Sequence, residues 1–374
     1  MKVAFNARLL YAPTMRGWNR YTVNLLAELP KLGVELYLYS DRPIHSEHLA
    51  RLPSDSYQIR VTENLRYPIW EQYWLPQQCQ KDSVDILHSP FNFGLPWFCP
   101  CPCVLTLHDA IDYVYYYKPS KWYQKLHPQA LQMRLHSWIA STRADAIITV
   151  SNHAKGDLIE YLNIPESKIS VIYEAADPNF HQPILESDRL RVKSKYNLNF
   201  PYIFYIGGWE ERKNIPFLLK AFAEAQLKEI KLVLAGGSES QKTELQTLAQ
   251  QLNISECIEL LGWVEEQDLP TLYAEALCFI YPSDYEGFGL QLCEAMALGC
   301  PVLASNSTCL PEILDNGGQV FNLENTDNLK DLISIIINDD QYVHTLKGLA
   351  SKRSGFFNWQ KTANKTFEIY KKLI

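Results

Sequence analysis

Short apolar runs alternate with stretches whose apolar positions recur three and four residues apart, and the alternation covers most of the chain. "KVAFN" (2–6) predicts a buried strand. "NRYTVNLLAELPKLG" (19–33) follows, with Tyr21, Leu25, Leu26 and Leu29 at helical spacing. "VELYLYS" predicts the next strand. "VDILHS" (84–89), "VLTLHD" (104–109) and "DAIITVS" (145–151) repeat one design, a β-rich run closing on a small or polar residue. Parallel strands end this way when their carboxyl edge lines a site. A long helix or helix pair is expected over 119–143. Another helix is expected from "SNHAKGDLIEYLN", with Ser151 as its N-cap, before the strand "ISVIY".

Residues 174–201 are polar, hold three prolines and carry no clear strand pattern, so they are expected to connect two domains. The alternation then restarts. Strands are predicted at "YIFYIGG" (202–208), "KLVLAGG" (231–237), "IELLG", "LCFIYPS" and "PVLAS", and helices over 213–227, 239–252, 266–276 and 289–298. The pattern predicts two doubly wound α/β domains, 1–185 and 195–357, with ligands in a cleft between them. The last segment places Trp359, Ala363, Phe367 and Tyr370 on one helical face, so 358–374 is expected to pack back on the first domain.

Composition narrows the class. A chain of 374 residues exceeds one ordinary core, and 47% hydrophobic with 21% charged residues suits a folded globular protein. The net charge of −7 gives no footprint for nucleic acid. It is unevenly spread: 1–185 carries 17 basic and 17 acidic residues, and the remainder 18 and 25. A neutral first half would not be repelled by an anionic membrane. No signal-peptide pattern opens the chain and no run of about 18 apolar residues occurs, so a cytoplasmic location with at most peripheral membrane contact is expected. The aromatic segment 112–125 is a candidate acceptor wall or membrane contact, with a core-packed helix flank as the alternative. Nine scattered cysteines suit a reducing compartment. The C-x-C-x-C of "FCPCPC" (98–103) lacks the usual metal spacing and reads as a loop before a strand, so no metal is expected.

Four segments carry candidate chemistry. Gly17 lies in a strand-to-helix loop that suits phosphate approach, although many such loops hold a glycine. His108 directly follows a strand; a base, a hydroxyl partner and a structural role are all open for it. Gly207 and Gly208 end another strand, with Arg212 and Lys213 at the start of the next helix. Two cations near exposed amides suit a diphosphate, since a helix N-terminus otherwise disfavours them by about 0.3–1 kcal/mol. In "EGFGLQLCE", Glu286 and Glu294 bracket a Gly-Phe-Gly turn. An ionised carboxylate only accepts hydrogen bonds, so it matches hydroxyls and repels phosphate. Hydroxyl, phosphate, hydroxyl is the order of a nucleotide-sugar. Glu294 also reads as a simple helix stabiliser, on a face away from the buried stripe Leu292, Ala295 and Met296.

These residues resemble the retaining glycosyltransferases of family four, which have the GT-B fold of two Rossmann-like domains facing across a cleft. "EGFGLQLCE" matches the family's E-x7-E signature, and "AMALGCPVLAS" its continuation. "GGWEERKN" resembles G-x-x-E-x-R-K-N. "GWNRY" is similar to the family's "GIGRY", with Trp18 and Asn19 as departures, and "TLHD" and "VSNHAKGDL" also fit. The resemblance implies that Glu286 binds donor-hexose hydroxyls and Glu294 the ribose. It implies that backbone amides of Gly287, Phe288, Gly289 and Leu290 meet sugar and phosphate, and that Arg212 and Lys213 stabilise the leaving diphosphate. Gly17 would approach the phosphates, His108 would contact the donor sugar, and Trp263 and Val264 would flank the base.

The reaction so implied moves a hexose from a nucleotide-sugar, UDP-glucose ahead of GDP-mannose, to a saccharide or polyprenyl-linked saccharide. It proceeds with retention, without a metal or other cofactor, in polysaccharide synthesis. A nucleotide-sugar epimerase, a phosphorylase-like enzyme and a non-catalytic nucleotide-sugar binding subunit are the rival readings.

Overall fold

A computed structural model describes residues 1–15, 17–63, 65–114, 128–227 and 229–374. The chain divides into two compact units, Met1–Glu174 with Asn358–Ile374, and Ala175–Phe357. The first unit therefore ends at Glu174 and not at 185. The stretch expected as a plain connection holds the helix Glu186–Lys195, which belongs to the second unit. That helix is polar almost throughout, with Val192 its one buried residue, which is why its apolar pattern is weak.

The first unit is built on strands β1 (Lys2–Asn6), β2 (Glu35–Ser40), β3 (Tyr57–Val61), β4 (Ile86–Ser89), β5 (Cys103–Thr106), β6 (Ala146–Thr149) and β7 (Ile169–Val171). They form one parallel sheet in the order β3-β2-β1-β4-β5-β6-β7. The second unit holds β8 (Tyr202–Ile206), β9 (Lys231–Ala235), β10 (Ile258–Gly262), β11 (Cys278–Tyr281), β12 (Val302–Ser305) and β13 (Gln319–Phe321), ordered β10-β9-β8-β11-β12-β13 and also parallel. Central strands such as β4, β5, β11 and β12 are buried along their whole length, as parallel strands covered on both faces must be. The two strands that the hydrophobic pattern does not announce, β3 and β13, lie at sheet edges and are partly exposed.

Local chemistry sets the helix boundaries. Ser151 caps the helix Asn152–Leu162 by accepting the Ala154 N–H at 3.0 Å. Ser238 and Gln241 form a reciprocal capping box at the head of Glu239–Gln251. The C-terminal helix Trp359–Leu373 packs within the first unit. Tyr370 donates or accepts at His88 Nδ1 over 2.6 Å, and the Trp359 ring meets Tyr21 edge-on at 6.0 Å. Its buried face is Trp359, Thr362, Ala363, Thr366, Ile369 and Tyr370. Phe367, expected on that face, is only partly covered.

Each sheet reverses its strand order once, between β1 and β4 and between β8 and β11. Crevices outside the carboxyl ends of such paired strands are where doubly wound sheets bind ligands.

Candidate active site

In the second unit the reversal point is occupied by a cluster of charge. Gly207 and Gly208 follow β8; a Cβ on Gly207 would lie 2.7 Å from the Tyr205 hydroxyl and one on Gly208 2.1 Å from Glu210 Oε2. Gly236, at φ +100°, has no room for a side chain, because a Cβ would sit 2.0 Å from the Gly207 carbonyl oxygen. The Gly236 N–H donates to the Gly262 carbonyl at 2.6 Å, so the ends of β8, β9 and β10 are tied together. Beyond Gly208 the chain makes a 3-10 turn, Glu211–Lys213, and Asn214 at φ 53° leads into the helix Ile215–Glu224. The two cations therefore stand on the turn before the helix, not in its first turn. The Asp284 N–H donates to the Arg212 carbonyl at 2.7 Å, which fastens this turn to the loop after β11.

Glu286 is the centre of that junction. Lys213 Nζ donates to Glu286 Oε1 at 2.6 Å and Arg212 Nη1 to the same oxygen at 3.0 Å. The Ser283 and Tyr281 hydroxyls also reach Oε1, at 2.5 and 3.1 Å. Lys213 Nζ lies 2.6 Å from the Tyr281 hydroxyl oxygen, so that hydroxyl accepts from the lysine while donating to the carboxylate. Lys213 is 5% exposed. Burial pushes its pKa down, and the charge of Glu286 offsets this only in part. For Glu286 burial acts upward, but Lys213 and then Arg212 outweigh it and hold the carboxyl below the ordinary glutamate value. Sequence reasoning paired Glu286 with sugar hydroxyls; folding shows that it also positions both cations. Tyr281 and Ser283 were missed. The available signal was their place at the carboxyl end of the strand pattern "LCFIYPS".

After Glu286, Gly287, Phe288, Gly289 and Leu290 are all buried. The Phe288 ring packs edge-on against Phe357 at 5.8 Å, so only its backbone is suited to a ligand. Gly289 takes φ +85° at the head of the helix Leu290–Ala297, and that helix has no side-chain N-cap among the described residues. A Cβ on Gly289 would lie 2.8 Å from Leu310 Cδ2. Glu294 is 4% exposed and accepts the Tyr273 hydroxyl at 3.0 Å. Helical spacing sets it on a face away from Leu292 and Met296, and that face is covered as well. A buried carboxylate needs polar partners. The Trp263 ring is 67% exposed beyond Gly262, whereas Val264 is buried.

The first unit holds the other two candidates. Gly17 opens the helix Gly17–Glu28 and is exposed; a Cβ there would meet nothing within 4 Å, so no protein contact demands a glycine. His108 is 5% exposed, with Nδ1 2.9 Å from Glu174 Oε1 and Nε2 3.0 Å from the Pro90 carbonyl. Both partners are acceptors, so both ring nitrogens carry hydrogen. Burial lowers the His108 pKa, but the hydrogen bond and charge of Glu174 outweigh it and the net shift is upward. The two acceptors hold the ring in a fixed orientation and favour its protonated form. Its partner Glu174, distant in sequence, carries no motif that marks it.

A buried lysine and an arginine converge on a carboxylate at the reversal point of a parallel sheet, the place where doubly wound α/β proteins bind ligands. Residues 15–180 match the family model for Glycosyltransferase Family 4, and residues 186–353 match that for Glycosyl transferases group 1. The O-antigen chain mannosyltransferase B of Escherichia coli is 33% identical over 299 residues, covering 78% of this chain and 76% of that protein. The chain belongs to the family 4 glycosyltransferases. The serotype-specific mannosyltransferase WbdA of Escherichia coli is 29% identical over 287 residues; the match covers 75% of this chain but 34% of WbdA, so this chain spans about a third of that protein. Among solved structures, Anabaena Alr3699/HepE in complex with UDP and glucose superposes with a TM-score of 0.78 at 18% identity, covering 100% of both chains. That likeness establishes the GT-B fold. Among the described residues no helix is long and apolar enough to cross a membrane.

Proposed function

We propose that this glycosyltransferase moves a mannosyl group from a nucleoside-diphosphate sugar to a growing saccharide in polysaccharide synthesis, with retention at the anomeric carbon. The observation that carries the reading is the convergence of Lys213 and Arg212 on Glu286 where β8 and β11 part. Fixed cations stabilise charge that develops on a leaving diphosphate, without reorganisation during the reaction. Mannose ranks first because relatives that share 33% and 29% identity are named mannosyltransferases. UDP-glucose, the first expectation from sequence, becomes the second donor.

In this reading the bond between the anomeric carbon and the diphosphate oxygen breaks. The acceptor hydroxyl bonds to the same face of that carbon, and its proton passes to the departing phosphate oxygen. Lys213 and Arg212 take the charge of the diphosphate. The uncapped amides at Gly289–Leu290 hold phosphate oxygens, in keeping with anion binding at helix N-termini. Glu286 offers Oε2 to a sugar hydroxyl while Oε1 keeps the cations in place. Glu294 receives the ribose hydroxyls. In the first unit, His108 lies near the loop of exposed Gly17, its ring 6.4 Å from that of Trp18. Because Arg212 and Lys213 supply the positive charge, the reaction is proposed to need no divalent ion.

A lipid-linked acceptor suits the neutral first half. Residues 115–125 of the aromatic segment lie outside the described residues. Elsewhere in this unit Trp97, Phe98 and Trp138 are exposed, the two indole rings 5.9 Å apart, which supports a peripheral membrane contact. The test is a thermal-shift panel of nucleotide-sugars, followed by transfer in the presence of EDTA with NMR assignment of the product anomer. GDP-mannose should stabilise most and give an α-linked product. A panel without any shift, or an inverted product, overturns the proposal.

A further inference from the structure

The cysteine-rich loop acquires a different meaning once folded. Cys99, Cys101 and Cys103 alternate with Pro100 and Pro102 and lead into β5. The prolines restrict this segment, which bends at Pro100 and Cys101 before β5 begins at Cys103. Cys79 reaches the same place from the helix Leu75–Asp82, twenty residues upstream. The sulfurs of Cys79, Cys99 and Cys101 all lie within 4.8 Å of one another, with Cys99 and Cys101 at 3.6 Å. Cys103 follows two residues on, its Sγ donating to the Cys101 carbonyl at 3.6 Å, next to the group. A tetrahedron with zinc–sulfur bonds of about 2.3 Å has sulfur–sulfur edges of about 3.8 Å. The group is already close to that size.

We propose that Cys79, Cys99 and Cys101, closed by Cys103, form a structural site for a thiophilic d10 cation such as zinc. Binding replaces four S–H protons by four sulfur–metal bonds and releases the protons to solvent, leaving a doubly negative centre. The surroundings suit such a charge. Arg143 stands beside the cluster, anchored by Asp145 Oδ2 at 3.1 Å, and the same oxygen accepts the Cys103 N–H at 2.8 Å. The site lies at the amino end of β5, whereas His108 lies beyond its carboxyl end. Five extended residues separate them by roughly 16 Å. The metal would therefore clamp a helix to the sheet and take no part in transfer.

Spacing along the chain argued against a metal because C-x-C-x-C offers neither the usual ligand spacing nor enough ligands; the helix supplies a further ligand from another direction. The experiment is elemental analysis of the full chain purified from zinc-supplemented medium, with cobalt(II) titration of the reduced, metal-free protein. Equimolar zinc and the intense charge-transfer and visible bands of tetrahedral cobalt thiolate are expected. C79S and C101S should lose both, while C257S, outside the cluster, keeps them. Because C79S is a core variant, the wild-type cobalt spectrum decides if it fails to fold. Absence of zinc together with absence of cobalt bands overturns the proposal. So does an intact mass showing a disulfide among these cysteines in protein that will not take metal after reduction.

Discussion

Lys213→Met separates charge from packing at the centre of the site. Methionine keeps most of the apolar stem but loses the ammonium that donates to Glu286 and Tyr281 at 2.6 Å each. A hydrogen bond to a charged group contributes about 1.5–3 kcal/mol. Breaking a buried ion pair costs about 3–5 kcal/mol when the remaining charge is left alone. Here it is not alone, since Arg212, Ser283 and Tyr281 still reach Glu286 Oε1. The loss of stability should therefore stay near 1–3 kcal/mol, and a domain with about 5–15 kcal/mol in hand remains folded. Turnover should suffer more. One fixed contact to developing transition-state charge is worth about 2.7–4 kcal/mol, or 10²–10³ in kcat. The assay pairs a thermal melt with steady-state release of nucleoside diphosphate, with and without acceptor. Lys213→Arg, which keeps the charge, should retain more activity than the methionine variant. A folded Lys213→Met enzyme with kcat within a few-fold of wild type refutes the leaving-group role.

Glu286 has a depressed pKa, so its stabilising contribution is present above the ordinary glutamate value of 4.5 and is lost as pH falls through the lower folded value. Donor KM should stay level from neutral pH down to that ordinary value, and in Lys213→Met it should begin to rise at a higher pH; identical profiles would refute the coupling. His108 runs the other way. Its raised pKa gives stability below the ordinary value of 6.5 that is lost as pH rises through the folded value, and Glu174→Gln should flatten this slope in melts taken across neutral pH. Gly236→Ala combines a strained φ with a backbone clash, so melting should report a loss of more than about 1–2 kcal/mol, along with weaker donor binding. Gly17→Ala, with open space around it, should leave the melting temperature unchanged and raise donor KM. An unchanged KM would remove Gly17 from the site.

Much of the site was legible because sheet-end chemistry is local in sequence. Gly207, Gly208, Arg212 and Lys213 follow β8 directly, and Glu286 to Leu290 follow β11, so a strand pattern and a few polar residues mark both loops. What stayed hidden depends on contacts between distant segments. The helix Glu186–Lys195 buries one residue and so has almost no apolar period. Glu294 looked like a surface residue because its burial comes from Tyr273 and neighbouring elements, not from its own helix.

The sequence by itself determined the alternation that yields two parallel sheets and the loops that carry cations and carboxylates. These follow from periodicity and from chemistry confined to a few adjacent residues. Tertiary structure alone decided that Lys213, Arg212, Tyr281 and Ser283 share one oxygen of Glu286, that Glu174 and the Pro90 carbonyl engage the two nitrogens of His108, and that Cys79 joins the cysteine loop. Each brings together groups from separate elements, and only the packing of those elements sets the distances on which hydrogen bonds, charge and metal ligation depend.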